Sequence, residues 1–279
     1  MNRMIDINQL TLCVLKRIFL SRQIYLNMRR YGSIYSLLLI LFFAACGTLQ
    51  SVPQEEKNSF QGSFYYIDTN IVKDRNINLM LLDYRVGVDS LMQKIIGTSD
   101  MPFTKAQPDC TFGYLVADAM YEAILPKDSL VQACVSNQGG LRIQYLSPGP
   151  ISLGNIYELM PFDNLLVVVE VPGTIMQQWM DHIAAWGGWP VTNIHFEIKD
   201  KKAQNILINN KPLHPNIIYR VVTSDYIANG GDDCSFLKEC KTYKYNVLMR
   251  DAIIQYISKR TEQNQNIHFT LENRIQYAE

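Results

Sequence analysis

The sequence predicts an α+β domain with a mixed β-sheet and packed helices, and two observations carry that expectation. Three apolar, largely β-branched runs at residues 130–135, 165–171 and 217–222 read as buried strands. Stretches with apolar residues at helical spacing intermix with such runs, without the strict βαβ rhythm of a parallel α/β fold. The chain has 279 residues and is 48% hydrophobic, enough for a sizeable core in one large domain or two small ones. No internal repeat or low-complexity tract interrupts it.

Residues 1–46 read as a leader, 47–61 as a polar tether and 62–279 as the folded domain. Residues 64–72 look like a strand. Leu82, Arg85, Val88, Leu91, Met92 and Ile95 recur at helical spacing, with Gly97 as the stop. A loop with two prolines covers 99–110, and a second amphipathic helix opens at Phe112 and ends before Pro126. After the strand at 130–135, Pro148-Gly149-Pro150 turns the chain, and Ser152 suits the N-cap of a short helix through Tyr157. Residues 174–186 place Ile175, Trp179, Ile183 and Trp186 on one face, which reads both tryptophans as core, and Gly187-Gly188 stops the helix. Residues 195–198 and 205–208 alternate like a hairpin, followed by a turn at Asn209-Asn210-Lys211-Pro212. A last helix is expected at 247–260 and a returning strand at 267–275.

The leader has the layout of an export signal. Met28-Arg29-Arg30 is a basic start, 34–45 is an apolar run, and Ala44-Ala45 precede Cys46. That cysteine gives the segment the look of a bacterial lipoprotein signal, with Cys46 lipidated, although Phe43 replaces the usual Leu. The alternative is a membrane anchor, for which a run of 12 residues is short. Residues 1–27 read as an over-extended start, because Met28 suffices. From Cys46 onward the chain holds 20 basic and 25 acidic residues, a net charge of about −5. That balance argues against nucleic-acid or broad anionic-membrane binding. Cys110, Cys134, Cys234 and Cys240 remain after the leader; an oxidising compartment would permit Cys234–Cys240 pairing, and no spacing suggests zinc.

Three loops carry chemistry. Ser136-Asn137-Gln138-Gly139-Gly140-Leu141-Arg142 follows the first apolar run, and Met160-Pro161-Phe162-Asp163-Asn164 precedes the second. Thr223-Ser224-Asp225-Tyr226-Ile227-Ala228-Asn229-Gly230-Gly231-Asp232 follows the third. Arg142 offers a forked cation for phosphate oxygens. Asn137 can donate and accept at a base edge, and Asp232 can accept from ribose hydroxyls. Phe162 and Tyr226 provide flat faces for a planar base, and Gly230-Gly231 supply positive φ and close backbone approach. Singly, each has a plainer explanation: surface ion pair, core anchor, turn residue.

Together and in this order, these segments resemble the C-terminal domain of the 5′-nucleotidase family, over about residues 82–275. The resemblance implies a 5′-nucleotidase C-terminal-like fold in which a helix near residue 82 joins two domains. It also implies a base held between Phe162 and Tyr226, substrate contacts from Asn137 and Arg142, and ribose binding by Asp232. Where members usually carry a further Arg before the second helix, this chain has Pro108-Asp109-Cys110-Thr111, which implies one phosphate contact fewer. The family's metallophosphatase half binds two metals through Asp, His and Asn motifs. His182, His195, His214 and His268 do not form them, and no room precedes residue 82. The expectation is therefore a lipid-anchored, exported nucleotide-recognising domain without catalytic or metal-binding residues of its own. A separately encoded metallophosphatase would supply divalent metals and hydrolysis. The alternative is a non-catalytic nucleotide-binding or structural lipoprotein.

Overall fold

A computed structural model describes residues 68, 71–72 and 74–278. The leader, Cys46, the tether and nearly all of the strand expected at 64–72 lie outside the described residues. Val72–Glu279 forms one unit.

Helix α1 (Arg75–Met92) starts where the Asp74 carboxylate accepts from the amides of Asn76 and Ile77. The helix ends ahead of Gly97, which does not stop it. Gly97 instead lies inside strand β1 (Ile95–Ser99), where a Cβ would stand 2.4 Å from Ile257 Cγ2. The glycine is a packing requirement there. Short strand β2 (Phe103–Thr104) leads to α2 (Thr111–Ile124), β3 (Ala133–Val135), β4 (Tyr145–Leu146) and β5 (Gly149–Ser152). Ser152 and Asn155 form a reciprocal capping box at the start of α3 (Leu153–Leu159). Then come β6 (Leu165–Pro172), α4 (Gly173–Ala185), β7 (Val191–Thr192), β8 (Ile194–Lys199), β9 (Lys202–Ile208) and β10 (Lys211–Pro212). The chain closes with β11 (Ile218–Ser224), α5 (Asp225–Ala228), β12 (Lys241–Leu248), α6 (Met249–Glu262) and β13 (Ile275–Tyr277).

The central sheet has five strands in the order β12-β6-β11-β3-β7. Here β11 runs parallel to β3 and antiparallel to β6, so the sheet is mixed. Alternation along β6 decides its packing. Leu166 and Val168 point to one face with Cys134 and Val222, against Leu115 and Met120 of α2 and Ile253 and Ile257 of α6. Val167, Val169 and Val171 point to the other, with Val221, against Met176, Trp179 and Ile183 of α4 and the four-stranded sheet β10-β9-β8-β13. Both faces are covered, which explains why these strands read as near-continuous apolar runs.

Several local expectations change. The final helix starts at Met249, two residues late, because Lys241–Leu248 pairs along β6 as an edge strand. The returning strand expected at 267–275 is displaced to β13, which shares only Ile275 with that range and pairs in parallel with β8. Ile267 makes only a single bridge to Ser99, and Asn273 at φ 53° breaks the extended path. Trp179 is core, but Trp186 is half exposed, since it follows the last turn of α4. Among the described residues the cysteines are free thiols, Cys234 and Cys240 included. No helix of the described residues is long and apolar enough to cross a membrane.

Candidate functional site

The strand directions bring three loops to one end of the central sheet. The parallel strands β3 and β11 end there, and the antiparallel β6 begins there. Asn137 follows β3, Tyr226 and Asp232 follow β11, and Phe162 precedes β6. The Asp225 carboxylate ties the last two loops together by accepting from the Leu165 amide at 3.1 Å. Ser224 caps α5 by accepting from the Ile227 amide, which fixes the turn carrying Tyr226.

The result is an open cleft of about 290 Å³, and every residue singled out from the sequence lines it: Asn137, Arg142, Phe162, Tyr226 and Asp232. Gly139, Gly140 and Asn164 complete the lining. Phe162 and Tyr226 are 42% and 44% exposed, large aromatic faces left to solvent. Asp232 is the hub. Its Oδ1 accepts from the Tyr226 hydroxyl at 2.7 Å and its Oδ2 from Asn137 Nδ2 at 2.7 Å. Both donors are neutral, no cation is paired with the carboxylate among the described residues, and each oxygen retains a lone pair for a further donor. The hydrogen bond to Asp232, aided by burial, raises the Tyr226 phenol above its usual value, so it stays a donor through neutral pH.

Asn137 is buried and commits one amide N–H to Asp232. Arg142 is exposed, with its guanidinium 5.6 Å from the Phe162 ring centroid and only a long 3.5 Å contact to the Gly139 carbonyl. Among the described residues it makes no ion pair. The glycine pair acts unequally. Gly230 takes the left-handed φ of 90°, whereas a Cβ on Gly231 would lie 2.5 Å from the Tyr226 ring. The close approach is to the protein's own tyrosine.

Asn164, absent from the expected set, is a lining residue with no motif signal beyond its place beside Phe162. Arg250 supports that loop, donating to Asp163 Oδ1 at 2.5 Å and to the Met160 carbonyl at 3.4 Å. Among the described residues no group of three or more His, Cys, Asp or Glu is placed to hold a metal ion.

Residues 95–239, slightly more than half of the chain, match the family described as 5′-nucleotidase, C-terminal domain. The chain belongs to that family. The 5′-nucleotidase match extends to individual relatives. Protein 5NUC of Lutzomyia longipalpis is 24% identical over 64% of this chain and 37% of its own length. Protein UshA of Escherichia coli strain K12 is 30% identical over 35% of this chain and 18% of its own. The 5′-nucleotidase precursor of Thermus thermophilus has the same fold over 74% of this chain and 44% of its own, with a TM-score of 0.63 and 24% identity. This member of the family thus spans well under half the length of the full proteins it resembles.

Proposed function

We propose that the cleft binds a nucleotide or nucleoside and that the domain serves phosphate-ester hydrolysis by presenting this ligand to a metallophosphatase. One observation carries the reading: side chains from three loops, carried by β3, β6 and β11, converge on one cleft with complementary chemistry. The exposed aromatics suit a base, the Asp232 carboxylate suits a diol, and the unpaired Arg142 suits a phosphate. The phosphatase is a separate chain carrying divalent metals, which activate water and neutralise the phosphoryl group. Export through the leader and lipidation of Cys46 would hold the domain at a membrane surface facing away from the cytoplasm. Relatives named 5′-nucleotidase support this reading.

Calorimetry with AMP, adenosine, adenine and ribose tests the binding half. The expected order of affinity is AMP above adenosine above adenine, with ribose weakest. Equal, negligible heats for all four would overturn nucleotide recognition and favour a structural role. Co-purification from the native membrane, followed by AMP hydrolysis with and without chelator, tests the pairing. Chelator-sensitive hydrolysis that fractionates with a second chain is expected; turnover by the purified domain alone would overturn the two-chain arrangement.

A further inference from the structure

His182 stands in the last turns of α4, outside the cleft lining, yet it reaches Asp232 across fifty residues of sequence. Its Nε2 lies 2.9 Å from the Asp232 main-chain carbonyl oxygen. A carbonyl can only accept, so Nε2 carries the proton whatever the state of Nδ1. The ring is fixed on its other sides by Trp189 at 5.5 Å, Phe236 at 5.8 Å and Trp186 at 5.9 Å between centroids. The first two contacts are edge-to-face, a geometry that resists rotation of the imidazole.

What the bond holds is a left-handed residue. Asp232 adopts φ 47° and ψ 44°, a region that Asp and Asn enter more readily than other residues with a Cβ. Asp233 follows at φ 62°. The conformation still costs something, and the contacts around it favour it. Asn137 and Tyr226 fasten the carboxylate, and the Asp232 amide donates to the Tyr226 hydroxyl at 3.3 Å. The remaining main-chain polar group, the carbonyl, accepts from His182 Nε2 at 2.9 Å and from the Cys234 thiol at a longer 3.8 Å, so the imidazole is the closer of its two donors.

We propose that His182 is a positioning residue for sugar recognition: by donating from Nε2 to the Asp232 carbonyl it keeps that peptide left-handed and its carboxylate turned into the cleft. This rests on the nucleoside reading of the cleft and deepens it, because the effect belongs to the ribose and not to the base. An anchor rigidly backed by aromatic rings lowers the ordering cost of the carboxylate when a diol arrives.

The test uses His182→Phe, which keeps a ring among Trp186, Trp189 and Phe236 but loses the donor, and His182→Gln, whose amide N–H can occupy the Nε2 position. Calorimetry with adenosine, 2′,3′-dideoxyadenosine and adenine is run alongside the ligand-free amide NMR spectrum. His182→Phe should weaken adenosine binding by about tenfold, the loss of roughly one hydrogen bond, and leave dideoxyadenosine and adenine within twofold. His182→Gln should recover most of the adenosine affinity. The Asp232 and Asp233 amide resonances should shift in the Phe variant and return in the Gln variant, without any ligand. Equal weakening of all three ligands, or a Gln variant as poor as Phe in both readouts, would overturn the anchor and leave aromatic packing as the role of His182. Wild-type protein that binds no adenosine would overturn the sugar role along with the nucleoside reading. The NMR shifts would then show independently whether the anchor to Asp232 exists.

Discussion

The two ends of the central sheet treat their charges in opposite ways. At the end away from the cleft, Arg220 of β11 pairs with Asp128 and, at 2.6 Å, with Glu170 of β6. Its guanidinium lies 4.4 Å from the Tyr243 ring centroid, and the hydroxyls of Tyr243 and Tyr245 donate to the same two carboxylates at 2.8 Å. Every carboxylate there has a cation. At the cleft end the Asp232 carboxylate meets only neutral donors among the described residues, and Arg142 rests on an aromatic ring with no acid paired to it among them. At the paired end both carboxylates are matched by the Arg220 guanidinium, although its Nε is buried without a hydrogen-bond partner among the described residues, and the cluster contributes to holding the fold. Apart from the Arg250–Asp163 pair behind the Phe162 loop, the cleft end leaves Asp232 and Arg142 without an opposite charge among the described residues, which suits the proposed ligand with its hydroxyls and phosphate.

Breaking the paired end should have the largest effect. Arg220→Ala strands two carboxylates, one of them nearly buried, and should lower unfolding free energy by about 2–4 kcal/mol. Urea titration reads that loss, while adenosine affinity per folded molecule should stay within twofold. At the cleft end the pattern should invert. Phe162→Ala and Tyr226→Ala should each weaken adenosine and AMP alike by roughly 1–3 kcal/mol, with stability changed by no more than about 0.5 kcal/mol for Phe162 and by about 1 kcal/mol for Tyr226, which also loses its hydrogen bond to Asp232. Calorimetry beside urea melts separates the two, and a stability loss that accounts for the binding loss would erase the contrast between the ends. Arg142→Ala should cost AMP about 1 kcal/mol more than adenosine, measured as the difference between the two titrations.

The smallest effect concerns pH. Burial would raise the Asp128 carboxyl, but hydrogen bonds from Arg220, Tyr245 and the Leu130 amide outweigh it and hold the group below the ordinary 3.8. A depressed carboxylate contributes stability that is complete above its unfolded value and withdrawn as pH falls through the folded one. Wild-type stability should therefore decline on that acid limb, and Asp128→Asn should flatten the decline. An unchanged slope in urea melts across the limb would show that Asp128 is not coupled to Arg220.

The same contrast explains what the sequence disclosed. Strands β6 and β11 were legible because burial on both faces writes them as apolar runs, broken only by Glu170 and Arg220 near the paired end. The cleft residues were legible because they lie in the short loops, within eight positions, at the ends of β3, β6 and β11. Edge strand β12 carries Lys241, Lys244 and two tyrosines along a half-exposed path, which leaves no apolar run to read. Gly97 gave the wrong signal because a glycine required by Ile257 looks the same as one that stops a helix. Trp186 failed similarly, since helical spacing does not reveal where the last turn meets solvent. His182 left no trace because its partner is a main-chain carbonyl fifty residues away.

The attachment of the three loops to neighbouring strands has a further consequence. Strands β6, β11 and β3 lie side by side, so the stems of the loops stand one and two ladder spacings apart, about 4.8 Å each. The hydrogen-bonded ladder acts as a ruler, graduated in steps that no single side chain can alter. Insertions or exchanges within a loop change which chemical groups face the ligand while the gauge between stems stays fixed. Under the proposed reading, loop composition can therefore change which ligand groups are met, while the spacing of the loop stems is kept by the sheet.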